Sequence, residues 1–158
     1  MSSTFTVTAA TRLSPPEAFA AATDWSAHCR IPFTDVAITT DTGGLGTRFV
    51  GRSRIGPFTL HDPMEVVGWQ PPGTDGRGHV KVVKQGTALG GDAEIDVASA
   101  PGGGAVVRWR ETILVGPGWL ARLAGPAVRM GGHLVFGWVL RSQLREVESR
   151  RYRGRSGG

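Results

Sequence analysis

Asp62, Glu111 and Ser53 pose the first chemical question, because each falls on the apolar side of an alternating, strand-like segment. In "FTLHDPMEV" Asp62 alternates with Phe58, Leu60, Met64 and Val66, and in "VVRWRETI" Glu111 alternates with Val107, Trp109 and Ile113. In "RFVGRSRI" Ser53 follows Phe49 and Gly51 on the same face and precedes Ile55. Residues two apart in a strand share a face, and a charge among apolar neighbours is costly unless it is paired. Two readings follow. The carboxylates are structural anchors held by an arginine, a histidine or backbone N–H groups, or they line a pocket and orient a polar group of a bound molecule. In a pocket, Glu111, Asp62 or His133 from the C-terminal region would also be a candidate general base for an enolisable ketone.

Other chemistries lack their residues. The four histidines, at 28, 61, 79 and 133, have no helical or strand spacing that makes a metal site, and no His-Glu-x-x-His element occurs. The single cysteine, Cys29, excludes an intramolecular disulfide and a Cys-rich zinc site; beside His28 it reads as a buried structural residue or a reactive thiol. "GRSRI" lacks the second glycine of a nucleophile elbow, and "GGLGTRF" precedes a strand, so it reads as a hairpin turn and not as a dinucleotide loop. Neither a metal nor a cofactor is expected.

The net charge of +5 is concentrated at the end, where six arginines face two glutamates between Arg141 and Arg155. With no RNP-type motif or zinc finger beside it, this end reads as a solubilising terminus, and a nucleic-acid partner is not expected. Contact of the basic C-terminus with anionic membranes, or its use as a protein-interaction module, is a further reading. The start "MSSTFTVTAATRL" has no basic and apolar signal pattern, which makes a cytoplasmic location the expectation. Residues Trp119 to Leu140 include Arg122, Arg129 and His133, so no run reaches the ~20 apolar residues of a membrane span.

The elements that must position these residues can be read along the 158-residue chain, which has the size of one domain. Residues 1–150 are expected to form it, with 151–158 as a flexible basic tail. Phe5 to Leu13 alternates as a strand. "SPPEAFAAATDW" offers Ser14 as N-cap, Pro15 and Pro16 in the first turn and an apolar stripe, so a short helix follows. "DWSAHCRIPF" suggests a second short helix stopped by Pro32. Six strands then succeed one another, near Asp35–Thr40, Gly46–Ile55, Phe58–Trp69, Gly78–Lys84, Ala88–Ala98 and Ala105–Val115, separated by turn sequences such as "QPPGTDGRG" and "PGGG". Short turns imply an antiparallel meander. Gly125-Pro126 divides a short helix from a main one over Ala127–Glu148.

This order is carried by "SPPEAFAAATDWSAH", "GLGTRFVGR", "PMEVVGWQPP" and "VVRWRETI". It resembles the START-like, polyketide cyclase/dehydrase (SRPBCC) superfamily. The resemblance implies an α+β helix-grip fold, with a curved seven-stranded antiparallel sheet wrapped around a long C-terminal helix and two short helices after the first strand. It also implies an apolar cavity between sheet and helix that holds a lipid, a polyketide or a similar molecule.

Alternation puts Arg48, Arg52 and Arg54 on the outer face, and Asp92, Glu94 and Asp96 there beside Arg108 and Arg110, as exposed cross-strand pairs. On the helix, 100° per residue groups Leu120, Ala124, Gly131, Leu134, Val135 and Trp138 on one side, taken as inward. Internal glycines cost a helix roughly 1 kcal/mol each, so Gly131 either admits a close backbone or leaves a void. The expected lining is therefore Phe49, Ser53, Asp62, Met64, Trp109 and Glu111 from the sheet with Gly131, Leu134, Val135 and Trp138 from the helix. The leading functional reading is a carrier or sensor of a small hydrophobic molecule. The alternative is an enzyme resembling polyketide cyclases, aromatases or dehydratases. Members of that kind carry several pocket hydroxyls, whereas the one tyrosine here is Tyr152 in the tail.

Overall fold

In the computed structural model, residues 2–26, 34–55, 57–86, 89–115 and 118–155 are described, with the side chains of 2, 55, 58, 89, 115, 118–130, 154 and 155 excluded. Alternation produces the sheet. β1 (Ser2–Thr11) is followed by α1 (Pro15–Ala22), and then by β2 (Thr34–Thr40), β3 (Arg48–Ile55), β4 (Phe58–Gln70), β5 (Gly78–Gln85), β6 (Leu89–Ser99) and β7 (Ala105–Val115). These strands form one antiparallel sheet in the order β1-β7-β6-β5-β4-β3-β2, so the six later strands are a meander and β1 closes onto β7. The last element, α2 (Gly118–Arg155), is one helix of 38 residues, about 57 Å long. The architecture is the expected one: an open antiparallel sheet packed on a long C-terminal helix.

Two boundaries differ from the sequence reading, and a third falls mostly outside the described residues. Of the second short helix only the first turn, Trp25–Ser26, falls among the described residues. α2 is unbroken at Gly125-Pro126; Pro126 removes one backbone donor without ending the helix. It also continues past Glu148 to Arg155, because its last turns are tied down. Arg150 pairs with Glu146 at 2.6 Å, and Arg151 reaches Glu17 of α1 at 2.8 Å. Glu17 in turn accepts from the Ser14 N–H at 2.8 Å and the Ser14 hydroxyl at 2.6 Å, which closes the start of α1.

The core lies between the inner sheet face and one stripe of α2. Val7, Val80, Val82, Ile95, Val97 and Val107 are almost wholly buried from the sheet, as are Val139, Leu140 and Leu144 from the helix. The inward stripe of α2 therefore runs through Gly132, Phe136, Leu140 and Leu144, and the phase taken from Leu134 and Trp138 is corrected. Those two are 66% and 55% exposed. The charged residues decide the phase: Arg141 and Arg145 are exposed, and with the helix continuous they set which side faces solvent. The glycine question resolves accordingly. A Cβ on Gly132 would lie 2.7 Å from the Phe5 ring, while a Cβ on Gly131 would meet nothing within 4 Å. Gly132 is omitted volume for Phe5; Gly131 neither packs against a strand nor borders the core.

The outer face carries the anticipated cross-strand charges. Glu94 lies opposite Arg110 and Asp96 opposite Arg108, with Glu94 also 3.2 Å from Lys81 and Asp96 2.8 Å from His79. Exposed pairs of this kind contribute tenths of a kcal/mol and favour register. At the rim, Glu148 of α2 accepts from the Thr11 hydroxyl and, at 2.7 Å, from the Arg12 N–H. The Thr11 hydrogen bond above all holds this carboxyl below the usual carboxylate range. Among the described residues no helix is long and apolar enough to cross a membrane.

Two outcomes follow. Gly131→Ala should raise the melting temperature by a few degrees, since alanine gains up to ~1 kcal/mol of helix propensity without a clash, whereas Gly132→Ala should lower it; thermal unfolding of both variants checks the opposite signs. Glu148→Gln should cost about 1 kcal/mol at neutral pH. Because the folded carboxyl is the stronger acid, its contribution is present above the unfolded value of about 4.3 and disappears as pH falls through the lower folded value. The wild-type advantage over Gln in urea melts should vanish in that acidic window.

Candidate functional site

Three inner-face positions carry charge. Asp62 on β4, Lys84 on β5 and Glu111 on β7 converge beneath a cavity of about 190 Å³ between the sheet and α2. The Lys84 ammonium lies 2.7 Å from Asp62 Oδ2 and 3.1 Å from Glu111 Oε1, with the Met64 sulfur at 3.7 Å. The side chains of Lys84 and Glu111 are 8% and 2% exposed. Glu111 Oε2 accepts the Trp109 indole N–H at 2.8 Å.

The local sequence makes this convergence feasible. β5 and β7 are separated by β6, a span of roughly 9–10 Å at two strand spacings. The β6 residues lying between them are Gly91, which pairs with Lys84, and Ala93, which pairs with Glu111. No bulky side chain stands in the path of the lysine stem. Gly91 also has φ +119°, and a Cβ there would fall 2.0 Å from the Thr112 carbonyl oxygen, so glycine is required by the backbone as well as by the lysine.

Burial by itself would lower the lysine pKa, but the charges of Glu111 and Asp62 and their hydrogen bonds outweigh it and hold it above the ordinary lysine range. Lys84 is therefore a fixed ammonium at neutral pH. Asp62 differs from Glu111 in one respect: its Oδ1 is buried and has no hydrogen-bond partner among the described residues.

The remaining walls are apolar and largely aromatic. Trp25 and Phe49 stack at 4.8 Å with 15° between their planes, and Phe136 of α2 meets Trp109 at 5.5 Å. Thr34 and Ser53 add two hydroxyls that bond each other at 2.9 Å. The sheet residues singled out in the sequence, Phe49, Ser53, Asp62, Met64, Trp109 and Glu111, all border this cavity. The four helix residues do not: Leu134 and Trp138 face out, Val135 is half-buried, and Gly131 lies beside open space. Phe136 lines the cavity from the helix instead. His133 is exposed and is removed from the candidate bases. Lys84 was missed, although "HVKVVKQ" carries the signal: Val80, Val82 and Lys84 alternate together, so the lysine continues a buried face. Among the described residues no cluster of His, Cys, Asp or Glu could hold a metal ion.

Removing the cation would strand two buried carboxylates. Lys84→Met should cost about 3–5 kcal/mol in denaturant unfolding. Since the folded lysine is the weaker acid, its stabilisation is complete below the unfolded value of about 10.4 and is lost only as pH rises through the higher folded value. The wild-type advantage over the variant should thus not shrink from pH 6 to 9; a decline across that interval would contradict the pairing.

No protein-family profile matches the chain, and no curated protein matches it in sequence. Solved structures do match. The di-domain aromatase/cyclase StfQ from the steffimycin biosynthetic pathway superposes with a TM-score of 0.73 at 14% identity, over 96% of this chain and 52% of that one. The Zhui aromatase/cyclase from Streptomyces sp. R1128 gives 0.65 at 12% identity, over 95% and 96%. Norcoclaurine synthase from Thalictrum flavum, in complex with dopamine and hydroxybenzaldehyde, gives 0.61 at 13% identity, over 92% and 88%. The chain shares the fold of these proteins, a helix-grip architecture in which an antiparallel sheet packs on a long C-terminal helix.

Proposed function

We propose that the protein binds a small, mostly apolar molecule in the cavity between sheet and helix, as a carrier or sensor, with Asp62, Lys84 and Glu111 holding its polar end. The observation that carries this reading is the combination of aromatic walls with a buried charged floor. An ordinary core would avoid both features, since a void forfeits packing and a buried ion pair seldom adds stability over apolar residues of similar volume. Together they match the usual composition of a ligand site, apolar walls with a few convergent polar groups. The volume of about 190 Å³ suits a molecule built around one ring, since a cavity of about 150 Å³ accommodates benzene. That a similar fold in norcoclaurine synthase holds dopamine and hydroxybenzaldehyde supports a small-molecule occupant.

A catalytic role for the same site is the second reading, favoured by one observation. Asp62 Oδ1 has no donor among the described residues, whereas both oxygens of Glu111 are engaged. Any general base would therefore be Asp62. Turnover of an enolisable ketone that Asp62→Asn abolishes while binding persists would move the protein into this class.

Gly51 provides the test of the binding reading. It borders the cavity, and a Cβ there would meet the Met64 methyl at 3.4 Å, so a larger side chain enters the space and not the backbone. Gly51→Leu should remain folded by circular dichroism and bind toluene or indole at least tenfold more weakly than wild type in NMR titrations. Equal affinity would remove the cavity as the binding site.

A further inference from the structure

Hydrogen-bond accounting within the charged floor restricts the chemistry of the ligand's polar end. The Lys84 ammonium has three N–H groups, and its neighbours are Asp62 Oδ2 at 2.7 Å, Glu111 Oε1 at 3.1 Å and the Met64 sulfur at 3.7 Å. The Trp109 N–H is spent on Glu111 Oε2. The donors of the floor are thus already committed. An acceptor is left over, Asp62 Oδ1, buried and without a partner among the described residues. Leaving such a group unsatisfied costs about 1–3 kcal/mol, and the terminal torsion of an aspartate is broad, so a modest rotation turns this oxygen towards an occupant. Charge points the same way. Two carboxylates face one ammonium, and a third carboxylate brought by a ligand would meet their repulsion in a water-poor site. The Thr34–Ser53 hydroxyl pair retains one O–H, a neutral donor that cannot offset that charge.

We infer that the cavity selects ligands whose polar end donates a hydrogen bond to Asp62, a hydroxyl or an ammonium, and rejects carboxylates. The inference rests on the binding reading above and narrows it: a fatty acid or an aromatic acid is excluded, while an alcohol, phenol or amine of one-ring size is admitted. Specificity here comes as much from repulsion of the wrong partner as from attraction of the right one. Asp62 is the specificity-determining residue; Glu111, with one donor on each of its oxygens, positions the ammonium.

Matched single-ring probes test this on the full chain at pH 7: toluene, benzyl alcohol, benzylamine (as its ammonium) and benzoate, each titrated by NMR or calorimetry. Benzyl alcohol, benzylammonium or both should bind at least tenfold more tightly than toluene. Benzoate should bind at least tenfold more weakly than benzyl alcohol. A gain for benzylammonium alone identifies the selected end as a cation, and a gain for both identifies any donor. Benzoate binding as tightly as benzyl alcohol, or toluene matching both donors, overturns the inference and leaves the binding reading standing. Silence from all four probes, toluene included, overturns the binding reading and the inference with it. Asp62→Asn should at least halve, on a logarithmic scale, the discrimination between benzyl alcohol and benzoate; unchanged discrimination assigns the selection elsewhere and overturns the role of Asp62. Should that variant fail to fold, the wild-type probe series decides by itself.

Discussion

A lysine ammonium cannot be buried in an apolar cavity alone, and the arrangement of the sheet around Lys84 follows from that constraint. Its countercharges come from β4 and β7, one and two strands away on either side of β5. Reaching Glu111 requires β6 to present nothing larger than Gly91 and Ala93 along the path. Glu111 is then fixed from its other side by Trp109, whose ring forms part of the cavity wall. One ion cluster therefore dictates small residues on one strand, an indole on another and the polarity of the cavity floor. The exposed pairs on the outer face are a different matter. Glu94 with Lys81 and Arg110 sits in water, where such pairs contribute little beyond register.

The helix supplies the roof, and its fit depends on what it leaves out. Gly132 lets the Phe5 ring approach the α2 backbone, and Phe5 and Trp109 both contact Phe136, the residue that α2 contributes to the cavity. Removing a side chain at one helical position thus seats the aromatic group one turn later. The far end of α2 is held separately, by Glu148 on the end of β1 and by Arg151 on Glu17 of α1. These contacts are at the periphery and partly solvated, so they locate the helix more than they stabilise the core.

Much of this was open to inspection in the chain itself, for identifiable reasons. A period of two is robust over eight to thirteen residues, so β3, β4, β6 and β7 were assigned with the correct inner faces, and Asp62 and Glu111 emerged as charges on the wrong side. Their partner was harder to see. Lys84 ends its strand beside Gln85, where a long flexible cation ordinarily reaches water; only the register of β5 against β4 and β6 shows its ammonium between two carboxylates. The helix phase failed for a related reason. Leu134 and Trp138 are large apolar residues four apart and drew the stripe towards themselves, but they are exposed, and the buried stripe is set further along by Leu140 and Leu144.

The sequence by itself determined the succession of elements, the antiparallel meander and the two carboxylates on an apolar face, because alternation, turn residues and caps act over a few neighbouring positions. Only the tertiary structure decided which cation answers those carboxylates, which side of α2 faces the sheet and which glycine admits an aromatic ring. Those outcomes depend on atoms brought together from positions 20 to 130 residues apart, where pairing register and the volume of neighbouring side chains, not local periodicity, choose the partner.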